Sequence, residues 1–106
     1  MIHVRRTVQI APGRQADATA RTHEWVAIFK EAPGVTGRAA GVTTGTLGRL
    51  CLSSDYEDMG AREEVSKKGF GSPKGQALMA KTQAEYRDGT SSWVPNTLHD
   101  EFWRDA

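Results

Sequence analysis

Residues 66–78 read SKKGFGSPKGQAL, and this stretch decides between two kinds of fold. Its three glycines and three lysines resemble a loop that binds phosphate. A P-loop, however, follows a strand and ends in Gly-Lys-Ser/Thr, and a dinucleotide-binding fingerprint requires a βαβ unit. Here the preceding residues have a helical pattern, and no terminal hydroxyl follows the last glycine. Ser72 before Pro73 is typical of a helix start, so the stretch predicts a break between two helices.

The residues upstream of this break predict a strand, a helix and two further strands. Strict alternation in IHVRRTVQI predicts a first strand with Ile2, Val4, Val8 and Ile10 on one face. Pro12 follows at a point where a helix can begin. A helix is predicted from Gln15 to Ala32. Its apolar stripe consists of Ala18, Thr22, Trp25, Phe29 and Ala32, with Val26 at the edge.

Threonine, valine and glycine dominate residues 35–56, which predict two strands joined near Gly45. Residues 57–68 predict a short helix with acidic residues in its first turn. Residues 72–87 predict a second helix after the break. We expect a short edge strand at SWVPN, residues 92–96, where proline is tolerated. The remaining tail from Thr97 is short and polar but carries two aromatic residues, and we expect it to pack against the domain.

Composition predicts a single domain over residues 1–106. Fourteen basic and thirteen acidic residues leave a net charge of +1, which provides no electrostatic signature of binding to nucleic acid or to an anionic membrane. No apolar stretch approaches the roughly 20 residues needed to span a bilayer, and the N-terminus lacks a signal-peptide pattern. Cys51 is the only cysteine, which excludes an intrachain disulfide. We therefore expect a reducing, cytoplasmic setting.

The predicted first strand and the turn after it, HVRRTVQIAPGRQADA, contain Arg6-Thr7 and Pro12-Gly13. This stretch is similar to the first strand and following turn of NIPSNAP-type domains, with these two pairs at the matching positions. TGTLGRL is similar to their turn into the third strand. DYEDMGAR resembles the start of their second helix, through Tyr56, Met59 and Arg62. GFGSPKGQALMAKTQ occupies the place of their helix break.

This resemblance extends from His3 to Gln83 and also shows departures. Val8 replaces a tyrosine of the family pattern, the tryptophan that usually follows the break is missing, and the tail from Thr97 has no match. The resemblance implies an α+β, ferredoxin-like βαββαβ fold with a four-stranded antiparallel sheet. It also implies a homodimer in which two such sheets form a dimeric α/β barrel. The polar strand face of His3, Arg5, Thr7 and Gln9 suits a partly wet barrel interior.

Arg6 is the anomalous residue of the first strand, because it falls on the apolar face with Val4 and Val8. A buried guanidinium needs a carboxylate, an anionic ligand or access to water. One interpretation is structural: Arg6 reaches solvent at the sheet edge or pairs with an acid, and the candidates are Glu57, Asp58 and Glu63. The other is a ligand pocket, in which a carboxylate or enolate meets Arg6 beside Trp25, Phe29 and Tyr56. The sequence leaves both open.

No pattern in the sequence predicts a metal or a cofactor. His3, His23 and His99 lie on different elements without ligand spacing. The superfamily that the resemblance implies includes haem-degrading enzymes, which use a histidine on the second helix, but none lies between Tyr56 and Tyr86. A nucleophile elbow is also missing, and Arg62 is expected to form a structural salt bridge.

The resemblance implies a NIPSNAP-like domain of unassigned activity that binds a small molecule or interacts with a partner. The alternative is a cofactor-independent monooxygenase acting on an aromatic or polyketide-like substrate, since that superfamily contains quinone-forming monooxygenases. This second interpretation predicts an enclosed pocket near Arg6, Trp25 and Tyr56, wide enough for a ring. The sequence does not decide whether the protein is an enzyme.

Overall fold

A computed structural model describes residues 1–31, 40–45 and 48–105, with the main chain alone for 40–45. The elements in chain order are β1 (Ile2–Gln9), α1 (Gln15–Lys30), β2 (Ala40–Gly45), β3 (Arg49–Tyr56), α2 (Met59–Gly71), α3 (Pro73–Asp88) and β4 (His99–Arg104). The predicted last residue of the first helix, Ala32, and parts of the two strands predicted over 35–56 lie outside the described residues.

The sheet is antiparallel and has the strand order β2-β3-β1-β4. β1 lies between β3 and β4, and Ile2 stands opposite both Tyr56 on β3 and Arg104 on β4. Because neighbouring strands in this order are not consecutive in the chain, the connections must cross over the sheet. The helices in these connections therefore pack on the sheet. The α+β class with an antiparallel sheet, expected of a ferredoxin-like fold, is confirmed.

The helices cover the sheet face that carries the even-numbered residues of β1. Val4 and Val8 are buried there, as the alternation predicts. Two clusters form the core. One contains Val8, Ile10, Ala18 and Leu50, the other contains Trp25, Ile28 and Leu78, and Trp93 packs against both.

The predicted break between two helices is confirmed at Ser72. The Ser72 hydroxyl donates to the Gly69 carbonyl at 2.8 Å and accepts from the Gly75 amide at 3.0 Å, so one side chain ends α2 and begins α3. A Cβ on Gly75 would overlap the Gly69 carbonyl oxygen. At the other end of α2, the prediction of acidic residues in the first turn is wrong. Asp58 is instead its N-cap and accepts from the Ala61 amide at 2.8 Å.

The C-terminal tail forms β4, a strand that the sequence pattern did not indicate. The edge strand expected over residues 92–96 is wrong, because Trp93 makes only an isolated bridge to Ile10. This segment is a connection held by the Val94 amide, which donates to the Gln9 carbonyl at 2.8 Å. The polar tail is a strand because the open edge of β1 supplies its hydrogen-bond partners.

Candidate functional site

Arg6 forms a two-point ion pair with Asp100 on the helix-covered face of the sheet. Its Nε donates to Asp100 Oδ1 at 2.7 Å and its Nη2 to Oδ2 at 2.8 Å. The two residues are directly opposite each other on β1 and β4. These hydrogen bonds raise the pKa of Arg6 and lower the pKa of Asp100. Arg6 therefore has a carboxylate partner within the chain.

The acids proposed for this partnership from the sequence, Glu57, Asp58 and Glu63, are wrong. They follow β3, whereas the partner lies on the strand at the other side of β1. Asp100 was missed because its tail was not recognised as a strand, and the register of β4 is the only signal that identifies it.

Arg62 of α2 approaches the same carboxylate. Its Nη2 lies 3.8 Å from Asp100 Oδ2, and its guanidinium carbon lies 5.0 Å from the centroid of the Phe102 ring. Its predicted salt bridge thus exists, but at a distance too long for a hydrogen bond. Two guanidinium groups share one carboxylate at this place, which leaves an excess of positive charge.

Three aromatic rings from α1 and α2 pack beside the ion pair. Trp25 and Phe29 are stacked, with ring centroids 5.9 Å apart. Phe70 meets both rings edge-on, at 5.5 Å from Trp25 and 5.1 Å from Phe29. Such offset and edge-to-face geometry is the favourable arrangement of aromatic rings. The cluster forms an apolar wall that faces the sheet.

Two cavities lie between the sheet and this wall. The smaller has a volume of about 90 Å³ and contains Arg6, Phe29 and Tyr56 in its lining. The larger has about 220 Å³, and Arg6, Trp25 and Phe29 are in its lining. An apolar cavity of roughly 150 Å³ accepts benzene, so the larger has room for one ring and the smaller does not.

The four residues predicted for a site are thus only partly brought together. Arg6 and Phe29 line both cavities, whereas Tyr56 lines the smaller and Trp25 the larger. The single pocket expected near Arg6, Trp25 and Tyr56 is divided in two. Phe70 lines both cavities and was missed, because its segment was interpreted only as a helix break.

Comparison with known proteins supports the fold. No protein-family model matches the sequence, and no curated protein gives a significant match. An uncharacterized NIPSNAP domain protein from Burkholderia xenovorans superposes with a TM-score of 0.73 at 18% identity, covering 100% of this chain and 95% of that one. A NIPSNAP family protein from Agrobacterium tumefaciens has a TM-score of 0.73 at 17% identity, covering 99% and 85%. The chain has the fold of the NIPSNAP-domain proteins.

A structure that is described as an enzyme also has a fold similar to that of this chain. A structure described as an antibiotic biosynthesis monooxygenase superposes with a TM-score of 0.66 at 12% identity, covering 100% of this chain and 99% of that one. At this identity the likeness concerns the fold alone.

None of the helices described in the structure has the length and apolar character of a membrane-spanning segment.

The sheet carries a second charged cluster on the face away from the helices. His3 Nδ1 lies 2.6 Å from Asp55 Oδ1, and His3 Nε2 lies 2.7 Å from Asp105 Oδ1. These contacts raise the pKa of His3, mainly through Asp55, because an imidazolium can donate from both nitrogens. When protonated, His3 donates to both carboxylates and bridges them. Over residues 1–31, 40–45 and 48–105, no group of histidine, cysteine or acidic side chains is arranged to hold a metal.

Most buried polar side-chain atoms next to the larger cavity have a hydrogen-bond partner. Arg21 donates to the Thr82 hydroxyl at 3.1 Å and to the Glu85 carboxylate. Within the described part of the chain, the buried side-chain atoms that lack a partner are Arg21 Nε and Trp93 Nε1. Trp93 also lines the larger cavity.

Proposed function

We propose that the protein binds a small molecule between its sheet and its helices. The observation that carries this proposal is the cavity of about 220 Å³ beside the stacked pair of Trp25 and Phe29. Apolar cavities with a few polar groups are the usual form of small-molecule sites. Trp25 and Phe29 would contact a ring, and Tyr56 would offer its hydroxyl from the smaller cavity. Arg6 would act mainly through its positive charge, since Asp100 accepts from its Nε and Nη2.

Titration with toluene tests this proposal without knowledge of the natural ligand. We expect saturable shifts of backbone amide signals in nitrogen-15 NMR spectra, concentrated on α1, α3, the end of α2 and the helix-covered side of the sheet. Toluene is the probe because it has the size of one ring and no charge. A wild-type protein that gives no saturable shifts would contradict the proposal.

Two tryptophan variants provide a matched comparison. Trp25→Leu removes an aromatic wall of the larger cavity, so toluene affinity should fall. Trp103→Leu makes the same change at a tryptophan that is 59% exposed on the opposite face of the sheet, and toluene affinity should be retained. Retained NMR dispersion in both variants would show that loss of binding is not loss of the fold.

We also propose that two copies associate through the open sheet face. The helices leave this face uncovered, and it carries the exposed Trp103 next to charged and polar side chains. The resemblance to NIPSNAP domains implies the same dimer. Light scattering at micromolar concentration should give twice the chain mass. Trp103→Glu should yield monomers, whereas Met59→Glu, at an exposed residue of α2, should not.

The alternative function is a cofactor-independent monooxygenase. The likeness to a structure described as an antibiotic biosynthesis monooxygenase and the ring-sized cavity favour it. Oxygen consumption with dihydroxylated aromatic substrates, abolished by Trp25→Leu and retained in Trp103→Leu, would support catalysis.

We retain the cytoplasm as the proposed location, because the lone Cys51 suits a reducing compartment, and cell fractionation tests it.

A further inference from the structure

The two cavities differ sharply in charge. Arg6, Lys30 and Arg62 all line the smaller cavity, and none of its described lining residues is acidic. Arg6 is the one charged residue among those described around the larger cavity, whose wall is otherwise mainly aliphatic and aromatic. The smaller cavity is therefore a cationic compartment beside an apolar one.

Asp100 does not neutralise this compartment. It binds Arg6 at two points and lies 3.8 Å from Arg62, so one carboxylate serves two guanidinium groups. The side chain of Arg62 is only 22% exposed, which limits its solvation. A partly buried cation whose nearest carboxylate is too distant for a hydrogen bond is incompletely compensated, and an anion placed beside it relieves that cost. Lys30 is exposed at the rim and adds to the attraction.

One molecule can contact both cavities. The two cavities adjoin, because both are lined by Arg6, Phe29, Leu52 and Phe70. Phe70 is 38% exposed and belongs to the last turn of α2, which gives it room to move. A ring in the larger cavity can therefore carry a substituent that reaches the cationic compartment.

We propose that the ligand is an aromatic carboxylate, with its ring in the larger cavity and its carboxylate between Arg62 and Lys30. This inference rests on the proposed small-molecule function and specifies the ligand class. Arg62 takes the role that the sequence suggested for Arg6, because Nε and Nη2 of Arg6 already donate to Asp100. The adjoining hydroxyl of Tyr56 lies in the same lining and is a further donor.

Phenylacetate and phenylacetamide provide a direct test. The two have nearly the same shape and differ by one negative charge. In nitrogen-15 NMR titrations at pH 7 and low salt, phenylacetate should bind about tenfold more tightly, the size of one charged hydrogen bond. Rising salt should reduce this preference. Equal affinities would overturn the inference, and continued binding of phenylacetamide would leave the proposed function intact.

Two variants test which cations produce the preference for phenylacetate. Arg62→Gln and Lys30→Gln should each reduce the preference for phenylacetate while leaving phenylacetamide affinity unchanged, which also shows that the fold is intact. Arg5→Gln, an exposed residue on the opposite sheet face, should change neither affinity. A full preference in both Arg62→Gln and Lys30→Gln would overturn the assignment. If toluene, phenylacetamide and phenylacetate all fail to bind, the proposed function itself fails.

Discussion

Arg6 and Asp100 lie 94 positions apart in the chain, yet they are paired through two hydrogen bonds of 2.7 and 2.8 Å. The pair joins the central strand β1 to the C-terminal strand β4. It links the anomalous residue of the first strand to a tail that otherwise has few buried residues. The pair therefore contributes both to stability and to the charge beside the smaller cavity.

Removing Arg6 should destabilise the protein. Arg6→Met keeps much of the side-chain length but leaves Asp100 with Arg62 alone, at 3.8 Å. The pair is half-buried, so we expect a loss between the values for exposed and buried pairs, about 1–3 kcal/mol in the free energy of unfolding. Urea denaturation measures it. Arg5→Met, the neighbouring exposed arginine, is the control and should change stability by less than about 0.5 kcal/mol.

A double-mutant cycle separates the pair from the individual residues. Arg6→Met combined with Asp100→Asn should cost less than the sum of the two single changes, because each single variant already loses the same interaction. Additive losses would contradict an energetic coupling between these two side chains.

Acid should weaken the contribution of Asp100. Its folded-state pKa lies below the ordinary 3.8, mainly because Arg6 donates to it. The stabilisation is thus present above pH 3.8 and is lost as the pH falls through the folded-state value. The difference in unfolding free energy between wild type and Asp100→Asn should be constant near neutrality and shrink below pH 3.8. Asp88→Asn, at an exposed site on α3, should show no comparable change.

His3 should titrate above its ordinary pKa of 6.5, because its two nitrogens donate to Asp55 and Asp105. Its stabilising effect is complete below pH 6.5 and is lost as the pH rises through the folded-state pKa. Proton NMR of the imidazole ring measures that value directly. The stability difference between wild type and His3→Gln should be larger at pH 5.5 than at pH 9, whereas His23→Gln, at an exposed site on α1, should change little at either pH.

Gly75 should not tolerate a side chain. Because an added Cβ would overlap the Gly69 carbonyl oxygen, Gly75→Ala must shift the junction between α2 and α3. We expect a loss of about 1–3 kcal/mol in the free energy of unfolding. Gly71→Ala is the matched control, because a Cβ at that position meets nothing within 4 Å. Thermal unfolding of the two variants decides between a tight junction and a simple flexible loop.

The sequence determined the elements whose signals are local. Alternation identified β1, three- and four-residue spacing identified α1, and the Ser72-Pro73 pair identified the helix break, because each pattern follows from the geometry of a few neighbouring residues. The short motifs from His3 to Gln83 also indicated the NIPSNAP fold. These features depend on main-chain preferences and on the periodicity of burial.

Tertiary structure alone decided the partner of Arg6, the identity of the last strand and the shape of the candidate site. Asp100 became the partner because β4 pairs with the edge of β1, and strand pairing over such a distance leaves no periodic signal in a polar tail. Phe70 joined the aromatic wall because the last turn of α2 packs against Phe29 of α1. The division into a cationic and an apolar cavity depends on how side chains from five elements meet, which no local pattern encodes.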